Sequence, residues 1–478
     1  MKHITTAGPI AAATLAFALG GCAIFPYEAG TRANEPASAA NPAKPTRARE
    51  DIAPADLPDG VFVGIAMSGG GSRAANFSAA VLLELDRLGL LRHAAAISSV
   101  SGSSLTAAYY ARYGADPGRW NTSAVQRVLI HDFDRDWTTR WLMPHNIVRY
   151  WLTPYDRSDI MKQVFDDVLF GGRDVRFEDL DPPGRTRLLI NATSIAGGEN
   201  FVFSDQSFEK LGSRLDRYPV SHAVMASAAF PAAFNSVTLE DYRRAAATPA
   251  GHLGRRKGFY KHLYDGGPSG NLGVNALKRV LFDVAREHPL RGCLLVLVDA
   301  YPLAQEKVNK GERDADLRSL LGYLVDENTL DAFDDLLKSQ REEALRALGY
   351  PFDVPIGARS MWAYRPGAAR DAGTPQELSC DVWHLAMQVE NDPGKDPEIE
   401  LLKERAAAQR SVVATTPQDD VDLYKKALNI ATDFRLAHPA KGDPQELQDL
   451  LFTVAQRRVK AGEAWLKERL VRWGWTTR

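Results

Sequence analysis

The chain has 478 residues, 45% of them hydrophobic and 25% charged, and a formal net charge of -2. Its length fits one large or two smaller globular domains, and the near-neutral balance excludes a broad electrostatic footprint for nucleic acid. The three cysteines, Cys22, Cys293 and Cys380, show neither a C-x-x-C pair nor zinc-ligand spacing. That argues against a metal centre, and no cofactor is called for.

In chain order, Lys2 and His3 precede the apolar run "GPIAAATLAFALGGC", too short for a comfortable membrane span but shaped like a secretory signal. It closes on "LGGC", Leu19 to Cys22, which resembles the lipobox of bacterial lipoproteins. That resemblance implies cleavage before Cys22 and lipid on Cys22. With Ala23 following, it also implies an anchor in the outer membrane facing the periplasm. An ordinary signal peptide with an incidental cysteine is the alternative. Residues 23–57, rich in Ala, Pro, Asn and charge without hydrophobic period, predict a flexible tether.

The body, expected over 58–310, begins with "VFVGIAMSGGGSRAA". Its apolar run predicts a buried strand, a glycine turn follows, and Ala75, Phe77, Val81, Leu82, Leu85 and Leu88 then recur at helical spacing up to a C′ Gly89. The same grammar returns from Ala94 to Tyr110 around "SSVSGSSLTAAYY". "RLLINATS", "NFVFSD", "FYKHLYDGG" and "CLLVLVDAYP" are further strand candidates. Strands alternating with helices predict an α/β fold with a mainly parallel central sheet, ligands lying at the carboxyl ends of its strands. Residues 119–151 are dense in Trp and Arg. They read either as helices over the sheet or as a segment with its rings at headgroup depth on a lipid surface. Residues 311–410 are expected to form a cap, and 411–478 C-terminal helices.

Ser101 is the candidate nucleophile. Small residues at a strand-to-helix turn leave a hydroxyl exposed, as in a nucleophile elbow. Ser99 and Ser103 stand where G-x-S-x-G carries glycine, and Gly102 frees the backbone after the nucleophile. Gly69, Gly70 and Gly71 can offer N–H groups to an oxyanion, with Arg73 to support it or to hold a lipid phosphate. A nucleotide loop is disfavoured, since no Lys-Ser/Thr follows the glycines. The base is His or a carboxylate: ten histidines are scattered, His262 lies closest to the Asp-Gly-Gly turn, and Asp265 ends a strand there.

"SGGGSR", "SVSGSS" and "DGG" in this order, with "LLINATSIAGGENFVFSD" and "AVMASAAFPAAFNSVTL" between the last two, resemble the patatin-like phospholipases. The elbow is also similar to that of the cytosolic phospholipase A2 catalytic domain. The resemblance implies a three-layer α/β/α fold and a Ser101–Asp265 dyad without histidine. It places Gly69, Gly70, Gly71, Arg73 and Gly102 in the oxyanion and phosphate site. It further implies a metal-independent hydrolase of phospholipid or other acyl-lipid esters, working at a membrane surface through its N-terminal anchor. The alternatives are a non-catalytic lipid-binding envelope scaffold and a Ser-His-Asp esterase or thioesterase. Protein partners are not specified by the sequence.

Overall fold

The computed structural model describes residues 34–300 apart from 54–55, 58, 181–185, 232 and 248–258. It then describes 327–348, 356–363, 376–387, 433–436 and 443–475. The signal segment with Cys22, much of the expected cap and the first of the expected C-terminal helices lie outside the described residues.

The strands are β1 (Glu35–Pro36), β2 (Val61–Met67), β3 (Ala96–Val100), β4 (Arg187–Ser194), β5 (Asn200–Phe203), β6 (Ser213–Arg214), β7 (Val237–Glu240), β8 (Tyr260–Tyr264), β9 (Gly292–Asp299), β10 (Ile356–Ala363) and β11 (Gln376–Ala386). The helices used below are α1 (Gly71–Arg87), α2 (Ser103–Tyr113), α3 (Thr122–Leu129), α4 (Phe133–Trp141), α5 (Pro144–Leu152), α6 (Arg157–Phe165), α7 (Val220–Ala228), α8 (Val274–Glu287), α9 (Glu327–Arg346) and α10 (Pro444–Arg472).

One sheet runs in the order β10-β11-β9-β2-β3-β4-β8-β7, with β5 on β4. β11, β9, β2, β3 and β4 are parallel; β10, β5, β8 and β7 are antiparallel to their partners. Alternation along β2 divides the core. Val61, Val63, Ile65 and Met67 join a cluster with residues of α1, α2, α7 and α10, while Phe62 and Ala66 join one with α8 and the end of α9. A sheet buried on both faces by helices is the three-layer α/β/α arrangement.

α1 ends as its spacing predicts. Gly89 takes φ 78°, its N–H donates to the Asp86 carbonyl, and Leu90 N–H donates to the Leu85 carbonyl. That is a Schellman closure with Leu85 and Leu90 buried together.

Two expectations are revised. Residues 34–53 do not hang as a tether: β1 pairs with β6, Arg47 donates to the carbonyls of Ala111 and Thr186, and Ala48 is fully buried. Polar side chains that find partners on the body supply what a hydrophobic period would otherwise give. Residues 356–363 and 376–386, assigned to the cap, instead extend the central sheet, β11 lying parallel on β9 and β10 antiparallel on β11. Cys293 and Cys380, far apart in the sequence, form a disulfide with Cα atoms 4.7 Å apart. The β11–β9 register that pairs Asp381 with Leu294 brings these two residues side by side.

Candidate active site

Two strand ends converge on one edge of β4. β3 occupies that edge as far as Val100, paired with Asn191, while β5 takes the opposite edge from Ile190 to Thr193. Thr193 also pairs with Tyr264 of β8, so β8 lies on the edge that β3 has just vacated and runs towards it. Ser101 and Asp265 are the next residues of β3 and β8, and they meet in the gap. The Ser101 hydroxyl lies close enough to the Asp265 carboxylate to draw its pKa down. Asp265 was expected at the end of a strand of a mainly parallel sheet; its strand is antiparallel, which is what lets it face the serine end on.

Ser101 holds φ 53°, a left-handed conformation that destabilises a non-glycine residue by about 1–3 kcal/mol unless its surroundings enforce it. They do. Its N–H donates to Ser227 Oγ at 2.8 Å. Ser103 Oγ lies 3.0 Å from the Met67 carbonyl and 2.9 Å from that of Val100. Ser104 Oγ is 3.0 Å from both Ser99 Oγ and Ser227 Oγ. Ser98 donates to the Gly273 carbonyl and accepts from Asn191 Nδ2. The serines around the nucleophile thus satisfy one another in a buried polar seam. Ser99 lies within β3 without a positive φ, so no glycine is required there.

Gly102 is required. A Cβ on it would come within 2.0 Å of the Gly71 carbonyl oxygen, because the glycine loop presses directly on the elbow. Gly70 and Gly71 both have positive φ, 136° and 56°. Their N–H groups, like that of Gly102, have no partner among the described residues, as an oxyanion site needs. Gly69 differs from expectation: its N–H is already given to the Asn271 carbonyl at 3.1 Å. Ser72 N–H goes to the Asp433 carbonyl at 2.7 Å. Arg73 differs too. It is 1% exposed, donates from Nε to the Ala300 carbonyl, and has Nη2 beneath Gly70. Its charge lies under the loop rather than on an open rim where a phosphate would bind.

Burial pushes the Asp265 carboxyl up to about 6, against the opposing pull of the Gly267 N–H and the nearby Ser101 hydroxyl. The carboxylate accepts from Gly267 N–H at 2.8 Å. The turn is fixed by Asp265 N–H to the Ala229 carbonyl and Gly266 N–H to the Ser227 carbonyl. Ser227 therefore holds both partners, the serine through its hydroxyl and the aspartate turn through its carbonyl. Nothing in its own surroundings in the sequence marked it, although it lies within the quoted "AVMASAAFP". Asn271 was missed as well. It is 2% exposed, its Oδ1 borders Gly69 and Gly267, and its Nδ2 has no hydrogen-bond partner among the described residues.

Two of the described histidines near the site are engaged elsewhere. His262 Nδ1 lies 3.0 Å from Thr238 Oγ1, and His384 Nε2 lies 2.8 Å from Asp299, which also accepts from Arg341. Among the described residues no group of three or more His, Cys, Asp or Glu is placed to hold a metal ion.

Residues 65–278 match the patatin-like phospholipase family model. The segment belongs to that family. No protein of curated function matches the chain. Among solved structures, human GIVD cytosolic phospholipase A2 is similar with a TM-score of 0.44 and 12% identity, over 88% of this chain and 63% of that one. The same human enzyme in complex with the inhibitor methyl gamma-linolenyl fluorophosphonate and terbium chloride gives 0.41 and 15%, over 88% and 60%. VipD from Legionella pneumophila gives 0.24 and 11%, over 95% and 94%. The chain thus spans less than two thirds of the cytosolic phospholipase A2 chains.

Proposed function

We propose that this patatin-like chain is a lipid acyl hydrolase in which Ser101 is the nucleophile and Asp265 the base. The observation that carries the reading is the meeting of a strained serine with a buried carboxylate held near 6 at two converging strand ends, beside the N–H groups of Gly70 and Gly71, unpartnered among the described residues. Asp265 takes the Ser101 proton as Oγ attacks the ester carbonyl carbon. The oxyanion of the tetrahedral intermediate accepts from Gly70 and Gly71. Collapse breaks the ester C–O bond, and the leaving alcohol or lysolipid takes the proton from Asp265. Water then gives a proton to Asp265 as it attacks the acyl-enzyme; fatty acid departs and Ser101 recovers its proton.

A fluorophosphonate probe tests this. Mass mapping should place the label on Ser101, with none in Ser101→Ala. Asp265→Asn should slow labelling by about 10²–10⁴-fold, the usual range for a lost general base. Label on another residue, or undiminished labelling in Asp265→Asn, would sink the dyad.

We further infer a cell-envelope location, with Cys22 lipidated in the outer membrane facing the periplasm. The Cys293–Cys380 disulfide supports an oxidising compartment. Cys22→Ala should turn a salt-resistant membrane protein into one released by a high-salt wash; unchanged retention after that wash would count against the anchor.

A further inference from the structure

Helix α5 buries one polar residue and leaves most of its apolar side chains exposed. Asn146, its buried residue, donates from Nδ2 to the Arg140 carbonyl at 2.9 Å. Around it Leu142, Met143, Ile147, Val148, Trp151 and Leu152 are 39–65% exposed. Among the described residues only Ile195, Leu336 and Val471 are other large apolar side chains so exposed. A contiguous patch of this kind marks an interaction surface.

Charge and position select its partner. From Trp137 to Leu152 the sequence contains Arg140 and Arg149 and no acidic residue. Arg140 is paired with Asp136 and Asp167, while Arg149 lies 3.9 Å over the Tyr155 ring and makes no ion pair among the described residues. Trp141, Tyr150 and Trp151 add rings that favour headgroup depth. The patch also joins the reaction rim. Asp433 accepts from Ser72 on the glycine loop, and the next ring, Phe434, lies 6.3 Å from Phe234. Phe234 is 5.3 Å from Trp137, Trp137 5.5 Å from Trp141, and Trp141 6.5 Å from Tyr150. An unbroken aromatic seam thus runs from the glycine loop to α5.

We propose that α5, with Leu142 and Met143 ahead of it, docks into the interface of an anionic bilayer and holds the Ser101 rim against the lipid. The docking stands on the patch itself; its purpose rests on the hydrolase reading.

The test places an environment-sensitive nitrobenzoxadiazole dye on Val148→Cys in the full chain carrying Cys22→Ser. With Cys293 and Cys380 in their disulfide, position 148 then holds the free thiol, and a readout local to α5 is not mimicked by attachment elsewhere. Vesicles of phosphatidylglycerol and phosphatidylethanolamine should brighten the dye severalfold and shift it to the blue, and pure phosphatidylcholine less so. The same dye on Val471→Cys should stay unchanged. No response at 148, or an equal response at 471, overturns the proposal. So does emission already at its bright value before vesicles are added, which would put another segment of the chain or a second copy over the helix. Hydrolysis is read on the same vesicles: a dye response without fatty-acid release leaves the surface standing and removes the hydrolase reading, and release without a dye response does the reverse.

Discussion

At the scale of single residues the site is governed by one carboxylate. With Asp265 near 6, the proposed base is ionised only above that value, so kcat/KM should fall on an acid limb of apparent pKa about 6. Asn271 offers a sharper check. Its Oδ1 and Asp265 Oδ1 both lie within 3.4 Å of the point where a Gly267 Cβ would sit, so Asn271→Asp adds a like charge beside the base and should move the limb upward. An unmoved limb would mean that the two groups do not sense each other. Stability runs the opposite way. The folded pKa lies above the unfolded value of about 3.9, so the stability linked to protonating Asp265 is complete below about pH 4 and is lost as pH rises through 6. Asp265→Asn should therefore be more stable than the parent by up to about 3 kcal/mol at pH 7–8, the gap closing towards pH 4 in urea titrations. Ser227→Ala should cost about 1–3 kcal/mol, because it leaves the buried Ser101 N–H unpaired.

Among the elements, the elbow and the loop that presses on it are the least tolerant. Gly102→Ala drives a Cβ into the Gly71 backbone, so it should abolish probe labelling, whereas Ser99→Gly should leave labelling rates nearly unchanged. Equal effects would refute the close approach as the reason for Gly102. This element was largely legible: a fully apolar "VFVGIAM" before three glycines has few alternatives to a buried strand feeding a helix. The direction of β8 was not legible, since "YKHLY" carries the same side-chain pattern whichever way it pairs. Nor was Ser227, whose part depends on two strand ends meeting in space. The Trp- and Arg-rich segment was legible only as two readings. Trp137 packs on Phe234 as a core residue would, while α5 a few residues later stays uncovered.

For the molecule as a whole, the sequence pattern located the layers of the α/β/α fold but not what joins them. Residues 34–53 read as unstructured because their attachment is made by hydrogen bonds from Asn34, Thr46 and Arg47 rather than by a hydrophobic stripe. β11 was missed as a core strand, and with it the partner of Cys293. Reducing that disulfide should lower stability by about 2–5 kcal/mol, visible as an earlier urea midpoint in dithiothreitol. An unchanged midpoint would mean that the unfolded chain gains little freedom from the cut. The bond has a second effect. Cys293 and Cys380 are 87 positions apart, and the chain between them includes α9, whose Leu337 touches the Gly267 turn and whose Arg341 binds Asp299. That stretch is a covalently closed ring rooted at neighbouring strands. A protease that severs it once yields two pieces that still travel together on a non-reducing gel, so a nicked molecule keeps both ends of the cut stretch tied to the sheet beside the Gly267 turn.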